Sequence, residues 1–109
     1  MNYDEFIASK IALIKKHVGE TVGATPQEID GESHDARIVR GRHLSMLFCR
    51  RLLGLSYPAL AMAFNKPNHV TALYGCRVIE TRIAADRLLA LLSNRLESEL
   101  RTKLNLPRR

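Results

Sequence analysis

Apolar residues recur at intervals of three and four along almost the whole of this sequence, and no stretch alternates strictly between apolar and polar. That rhythm belongs to helices that each bury one stripe, and it excludes a sheet as the organising element. The expected architecture is all-α, with about six helices in one domain over residues 1–109, since a chain of this length fills a single core.

Local signals place the breaks. A first helix is expected from Tyr3 to Val18, with Phe6, Ile7, Ile11, Ile14 and Val18 on one face and Gly19 and Gly23 loosening the chain after it. Thr25-Pro26-Gln27-Glu28 opens a short second helix: Thr25 caps, Pro26 has the φ of a first turn, and Glu28 sits where a capping box needs its acid. After the polar loop Gly31 to Asp35, a third helix spans 36–53 with Ile38, Leu44, Leu47, Phe48, Cys49 and Leu52 facing inward, and Gly54 ends it. Gly41 should weaken or bend that helix, at a cost of about 1 kcal/mol relative to alanine. Ser56-Tyr57-Pro58 starts a fourth helix with Leu60, Ala61 and Phe64 buried, and Asn65-Lys66-Pro67 breaks it. A fifth helix over 68–81 and a sixth over 83–104 follow, the last with Leu88, Leu91, Leu92, Leu96 and Leu100 at helical spacing, and residues 105–109, ending in Arg108 and Arg109, should fray.

A short helix, a tight turn and a second helix with a polar first turn form the order of a helix-turn-helix, in which the second helix offers its N-terminal side chains to base edges in the major groove. Here that first turn is Asn68-His69-Val70-Thr71. Asparagine can pair with adenine, histidine can donate to O4, O6 or N7, and the Val70 and Thr71 methyls can meet a thymine methyl. These four are the expected base contacts. Lys66, Arg37, Arg40, Arg42, Ser56 and Tyr74 are the expected contacts to the DNA backbone. Ala72, Cys76 and Ile79 should pack the fifth helix on Leu60 and Phe64.

Charge agrees. Residues 1–35 hold three cations against seven anions, −4; residues 36–80 hold seven against one, +6; the last 29 hold seven against three, +4. A polyanion would meet the middle and the end of the chain. Cys49 and Cys76 are too few and too far apart for a disulfide framework or a metal pair, which suits a reducing, cytoplasmic setting. With His17, His34, His43 and His69 they make no metal spacing, and no GxSxG organises a nucleophile, so neither a metal nor a catalytic activity is expected. No stretch reaches the roughly 18 apolar residues of a membrane span, and MNYDEFIASK carries acids where a signal peptide needs bases and then apolar residues.

Three blocks together carry a resemblance: Arg40-Gly41-Arg42-His43-Leu44-Ser45-Met46, then Leu55-Ser56-Tyr57-Pro58-Ala59-Leu60-Ala61-Met62-Ala63-Phe64, then Asn68-His69-Val70-Thr71-Ala72-Leu73, trailed by Val78-Ile79-Glu80. Their types and spacing resemble the C-terminal DNA-binding domain of the bacterial replication initiator DnaA, whose pattern runs close to RxRQxAMYL, SLPEIGxxFGxRDHTTV and KIE. The match is ungapped from Arg40 to Glu80, strongest over 37–82, and weaker from Ile11 to Glu28. It implies a six-helix, Trp-repressor-like fold that reads a DnaA-box-like duplex in control of replication initiation or transcription. By position His69 is the family histidine, Asn68 stands for its aspartate, and Val70 and Thr71 for its two threonines.

Three differences bear on binding. Pro67 replaces an arginine, Asn68 replaces an acceptor-only aspartate, and the loop that in the family is basic and reaches the minor groove reads Asp30-Gly31-Glu32-Ser33-His34-Asp35 here, leaving Arg37 or a protonated His34 to stand in. Weaker binding or a different sequence preference is the expectation. No GxxxxGK[ST] loop occurs, so no nucleotide is expected to bind this chain. The alternative is an adaptor of the same fold that docks a protein partner, a replication or regulatory ATPase, through the leucine-rich last helix, with weak DNA binding.

Overall fold

The computed structural model describes residues 2–107, so Arg108 and Arg109, the end of the tail expected to fray, lie outside it. Six helices follow in order: α1 Tyr3–Val22, α2 Pro26–Asp30, α3 Ala36–Leu53, α4 Tyr57–Ala63, α5 His69–Ala85 and α6 Arg87–Lys103, with no strand among the described residues. The capping box of α2 forms as the sequence predicts, with Thr25 Oγ1 accepting from the Glu28 N–H and Glu28 returning to the Thr25 N–H. Gly54 takes the left-handed conformation, φ 68°, that ends α3 where expected.

Two boundaries differ from the sequence reading. Helix α1 continues past Val18 to Val22, because Gly19 is not a breaker. Its carbonyl accepts from the Gly23 and Ala24 N–H groups at 2.8 and 2.9 Å, and a Cβ at Gly19 would lie 2.3 Å from the Ala24 oxygen. Glycine is needed there for close approach of the returning chain. Further on, α5 runs through Thr81 to Ala85, and a single residue, Asp86, separates it from α6. Asp86 caps α6 by accepting from the Leu89 N–H at 3.1 Å.

Helix α3 is the axle. Leu44, Leu47, Phe48 and Cys49 are buried, and around them gather Ile14 and Val18 of α1, Ile29 of α2, Leu60 of α4, Ile79 of α5 and Leu96 and Leu100 of α6. Gly41, read from the sequence as a weak point, is a crossing point: a Cβ there would come within 2.8 Å of Val22 Cγ2. The buried stripe of α6 is Leu89, Ser93, Leu96 and Leu100, which leaves Leu88 and Leu91 outside, 78% and 56% exposed, although helical spacing groups both with the leucine face. Beyond α6 the chain turns at Asn105, φ 57°; the Leu106 N–H donates to the Arg101 carbonyl at 2.8 Å, and Arg101 donates to the Pro107 carbonyl. No helix among the described residues is long and apolar enough to cross a membrane.

Candidate nucleic-acid interface

The turn between α4 and α5 is built from backbone. The Phe64 N–H donates to Leu60 O at 3.0 Å, Asn65 turns the chain at φ 61°, and the Lys66 N–H reaches back to Ala61 O at 2.8 Å. Asparagine tolerates that left-handed geometry better than most residues. Asn68 then starts α5: its Oδ1 accepts from the Val70 and Thr71 N–H groups at 3.0 and 3.3 Å. This corrects the expected adenine pair, because the carbonyl half of that amide is already the helix cap and only its NH2 remains to face a base.

The two sides of α5 separate cleanly. Ala72, Gly75, Cys76 and Ile79 are buried, and a Cβ at Gly75 would meet Met46 Sδ at 2.9 Å and His43 Cδ2 at 3.0 Å, which sets how closely α5 lies on α3. His69 and Asn68 are exposed, Val70 is 57% and Tyr74 64% exposed, and Thr71 is partly so. Between α5 and the front half of α3 runs a groove of about 590 Å³, lined among others by Arg40, His43, Lys66, Thr71, Tyr74 and Arg82. Arg82 was not picked out from the sequence. Its signal was periodic, since 71, 74, 78 and 82 share one side of a helix.

Several cations expected on phosphate are instead bound to backbone carbonyls. Arg42 is the clear correction: it is 7% exposed, and its Nε donates to Ile29 O at 2.8 Å, with the two terminal nitrogens on Ser33 O and Glu28 O at 3.2 and 3.3 Å. Arg37 donates to the Gly23 carbonyl and lies beside Asp35, away from the groove. Lys66 lines the groove but places Nζ 2.9 Å from Gly31 O. Burial, then the neighbouring Arg42, pushes its pKa down. Ser56 is exposed, its hydroxyl capping α4 through the Ala59 N–H, and it does not line the groove; Arg40 is exposed and does.

The acidic loop is likewise committed. Asp30 lies 2.6 Å from Lys15 Nζ and Asp35 caps α3, so Glu32 is the carboxylate that borders the groove. Cys49 and Cys76 are core residues whose thiols burial pushes up, to about 12 and about 11.

His43 forms part of the groove floor, edge-on to Tyr74 with ring centroids 6.4 Å apart. Burial first, then Arg42, Arg82 and Lys66, lowers its pKa from 6.5 to about 4. A histidine depressed in the folded state favours the fold fully above its unfolded pKa and loses that contribution as the solution is acidified. Stability should therefore decline between pH 6.5 and 4, and His43→Gln should flatten the decline in a series of urea melts across that window.

Five helices around a central α3, with a tight turn launching an exposed polar helix end, define a helix-turn-helix domain. The chain belongs to the bacterial dnaA protein helix-turn-helix family, whose model matches residues 11–79. Among its relatives, the chromosomal replication initiator protein DnaA of Thermodesulfovibrio yellowstonii is 32% identical over 89 residues, covering 82% of this chain and 20% of that protein. The DnaA of Jannaschia sp. is 40% identical over 53 residues, 49% of this chain and 11% of that protein. The chain thus spans about a fifth or less of the curated relatives it matches. A crystal structure of a DNA replication initiation factor superimposes with a TM-score of 0.83 at 22% identity, over 93% of this chain and 31% of that one, showing the shared fold.

Proposed function

We propose that this domain binds double-stranded DNA in a sequence-specific way, with α5 in the major groove and His69, Val70 and Thr71 addressing base edges at a DnaA-box-like site. The observation that carries the reading is the division of α5: its first turn is exposed while Ala72, Cys76 and Ile79 fasten the rest to the core. Asn68 contributes an amide donor, which suits guanine or thymine acceptors better than the two-bond adenine pair. Arg40, Arg82 and Tyr74 around the groove serve the phosphates, and Ser56 at the start of α4 serves the adjacent strand. The relatives are named chromosomal replication initiators, and we assign this domain to the control of replication initiation, or of transcription, without a catalytic role.

Fluorescence anisotropy with duplexes selected from a random pool tests this. Specific binding should weaken steeply with salt, and His69→Ala should cost about 1–3 kcal/mol of specific affinity while non-specific binding stays as it was. A protein that binds no duplex at low salt, or one whose sequence preference survives His69→Ala, would favour the adaptor reading. That second reading has one observation of its own, the exposed Leu88 and Leu91 on the outer side of α6, a surface on which an ATPase partner could dock.

A further inference from the structure

Lys15, in the middle of α1, is 7% exposed. Its Nζ lies 2.6 Å from Asp30 Oδ1, donates to the Ala63 carbonyl at 2.6 Å and stands 4.5 Å above the Phe64 ring. Asp30 is the last residue of α2 and Ala63 the last of α4. One ammonium therefore joins two helix C-termini, where carbonyls and the helix dipole favour a cation. From the first end departs the loop 31–35, and from the second the turn that launches α5. Lys66 closes the circuit, since its N–H is bound within the turn, to Ala61 O, and its Nζ is bound to Gly31 O in the loop.

We infer that Lys15 is a positioning residue that holds the loop after α2 and the turn before α5 at a fixed separation, so that both DNA-facing segments are set before DNA arrives. This rests on the DNA-binding reading for its purpose, though not for its geometry. Lys15 itself cannot reach a phosphate, being enclosed by α2, α4 and Phe64. Its contribution would be preorganisation: a partner with two contact segments already spaced avoids the ordering cost on binding. The segment that replaces a basic loop with acids gains a rationale too, because Asp30 is the anchor.

The test combines hydrogen exchange with binding. In Lys15→Met, which keeps the volume of the stem, the amides of Gly31 and Lys66 should exchange faster together, although they are 35 residues apart, while amides at the centre of α3 keep their rates. Duplex affinity should fall about tenfold with the slope of log K against log salt unchanged, since no phosphate contact is removed. Asp30→Asn, a milder change that keeps a fold should Lys15→Met lose it, should act in the same direction, and the double variant should fall no further than Lys15→Met. Wild-type affinity in Lys15→Met, faster exchange throughout the chain in Asp30→Asn, or a salt slope reduced by about one would each overturn the inference. A wild-type protein that binds no duplex would instead overturn the DNA-binding reading, and the paired exchange of Gly31 and Lys66 would still decide whether the tie exists.

Discussion

Replacing Arg42 by alanine should lower the unfolding free energy by about 3 kcal/mol and leave the salt dependence of DNA binding unchanged. The guanidinium is buried and donates to three carbonyls, Ile29, Ser33 and Glu28, of which the first, at 2.8 Å, has the best distance. A charge-assisted bond contributes roughly 1.5–3 kcal/mol net, and the two longer ones fall short of that, so the sum stays near the figure given. Arg42→Lys retains charge but cannot reproduce a three-pronged fork, and it should recover only part of the loss. Chemical denaturation gives the stability arm and anisotropy titrations at several salt concentrations the other. A stable Arg42→Ala protein whose salt slope drops by about one would mean that this side chain meets phosphate after all.

Phe64→Ala should be costlier, about 3–5 kcal/mol, and lower the melting temperature by more than about 10 °C for a domain of this size. Its ring is fully buried, it ends α4, and Lys15 Nζ lies above it. Truncation opens a cavity directly beneath the turn that launches α5, and it strips the ring from a buried cation. Phe64→Leu keeps most of the volume and should cost about 1 kcal/mol. Calorimetry on the two variants separates these outcomes. Equal losses for both would show that ring volume is not what the site requires.

Where chain order and local caps decide structure, the sequence was readable. Thr25, Asp35, Ser56 and Asn68 all precede helices, and Gly54 follows one, so the helix-turn-helix and the bounds of α3 follow from residue types a few positions apart. The misreadings share another origin: they concern what a side chain meets across space. Gly19 looks like a breaker until Ala24 folds back on it, Gly41 looks weak until Val22 crosses it, and Leu88 matches Leu96 in type while facing the other way. The joint between the last two helices is expected at residue 82 and lies at Asp86, since Ile79 and Ile83 continue one helix face and no glycine or proline marks the break.

The same limit applies to the candidate site. Exposure of His69 and Tyr74 could be argued from helix periodicity, whereas the donors of Arg37, Arg42 and Lys66 could not be assigned, because the carbonyls that take them lie 14, 13 and 35 residues earlier. A count of positive residues therefore overstates the charge offered to a polyanion. The acidity of the loop overstates its repulsion in the same way, with Asp30 and Asp35 each turned to an internal partner.

Asp86 leaves α5 and α6 only one residue to bend between them. The outer end of α6 is thereby a fixed arm on the same body as α5, since Leu96 and Leu100 seat it in the core that Ala72, Cys76 and Ile79 share. A fluorophore or a fused domain attached there should keep a set orientation to α5, and a few glycines inserted at Asp86 should leave that orientation in place because packing, not the joint alone, holds it.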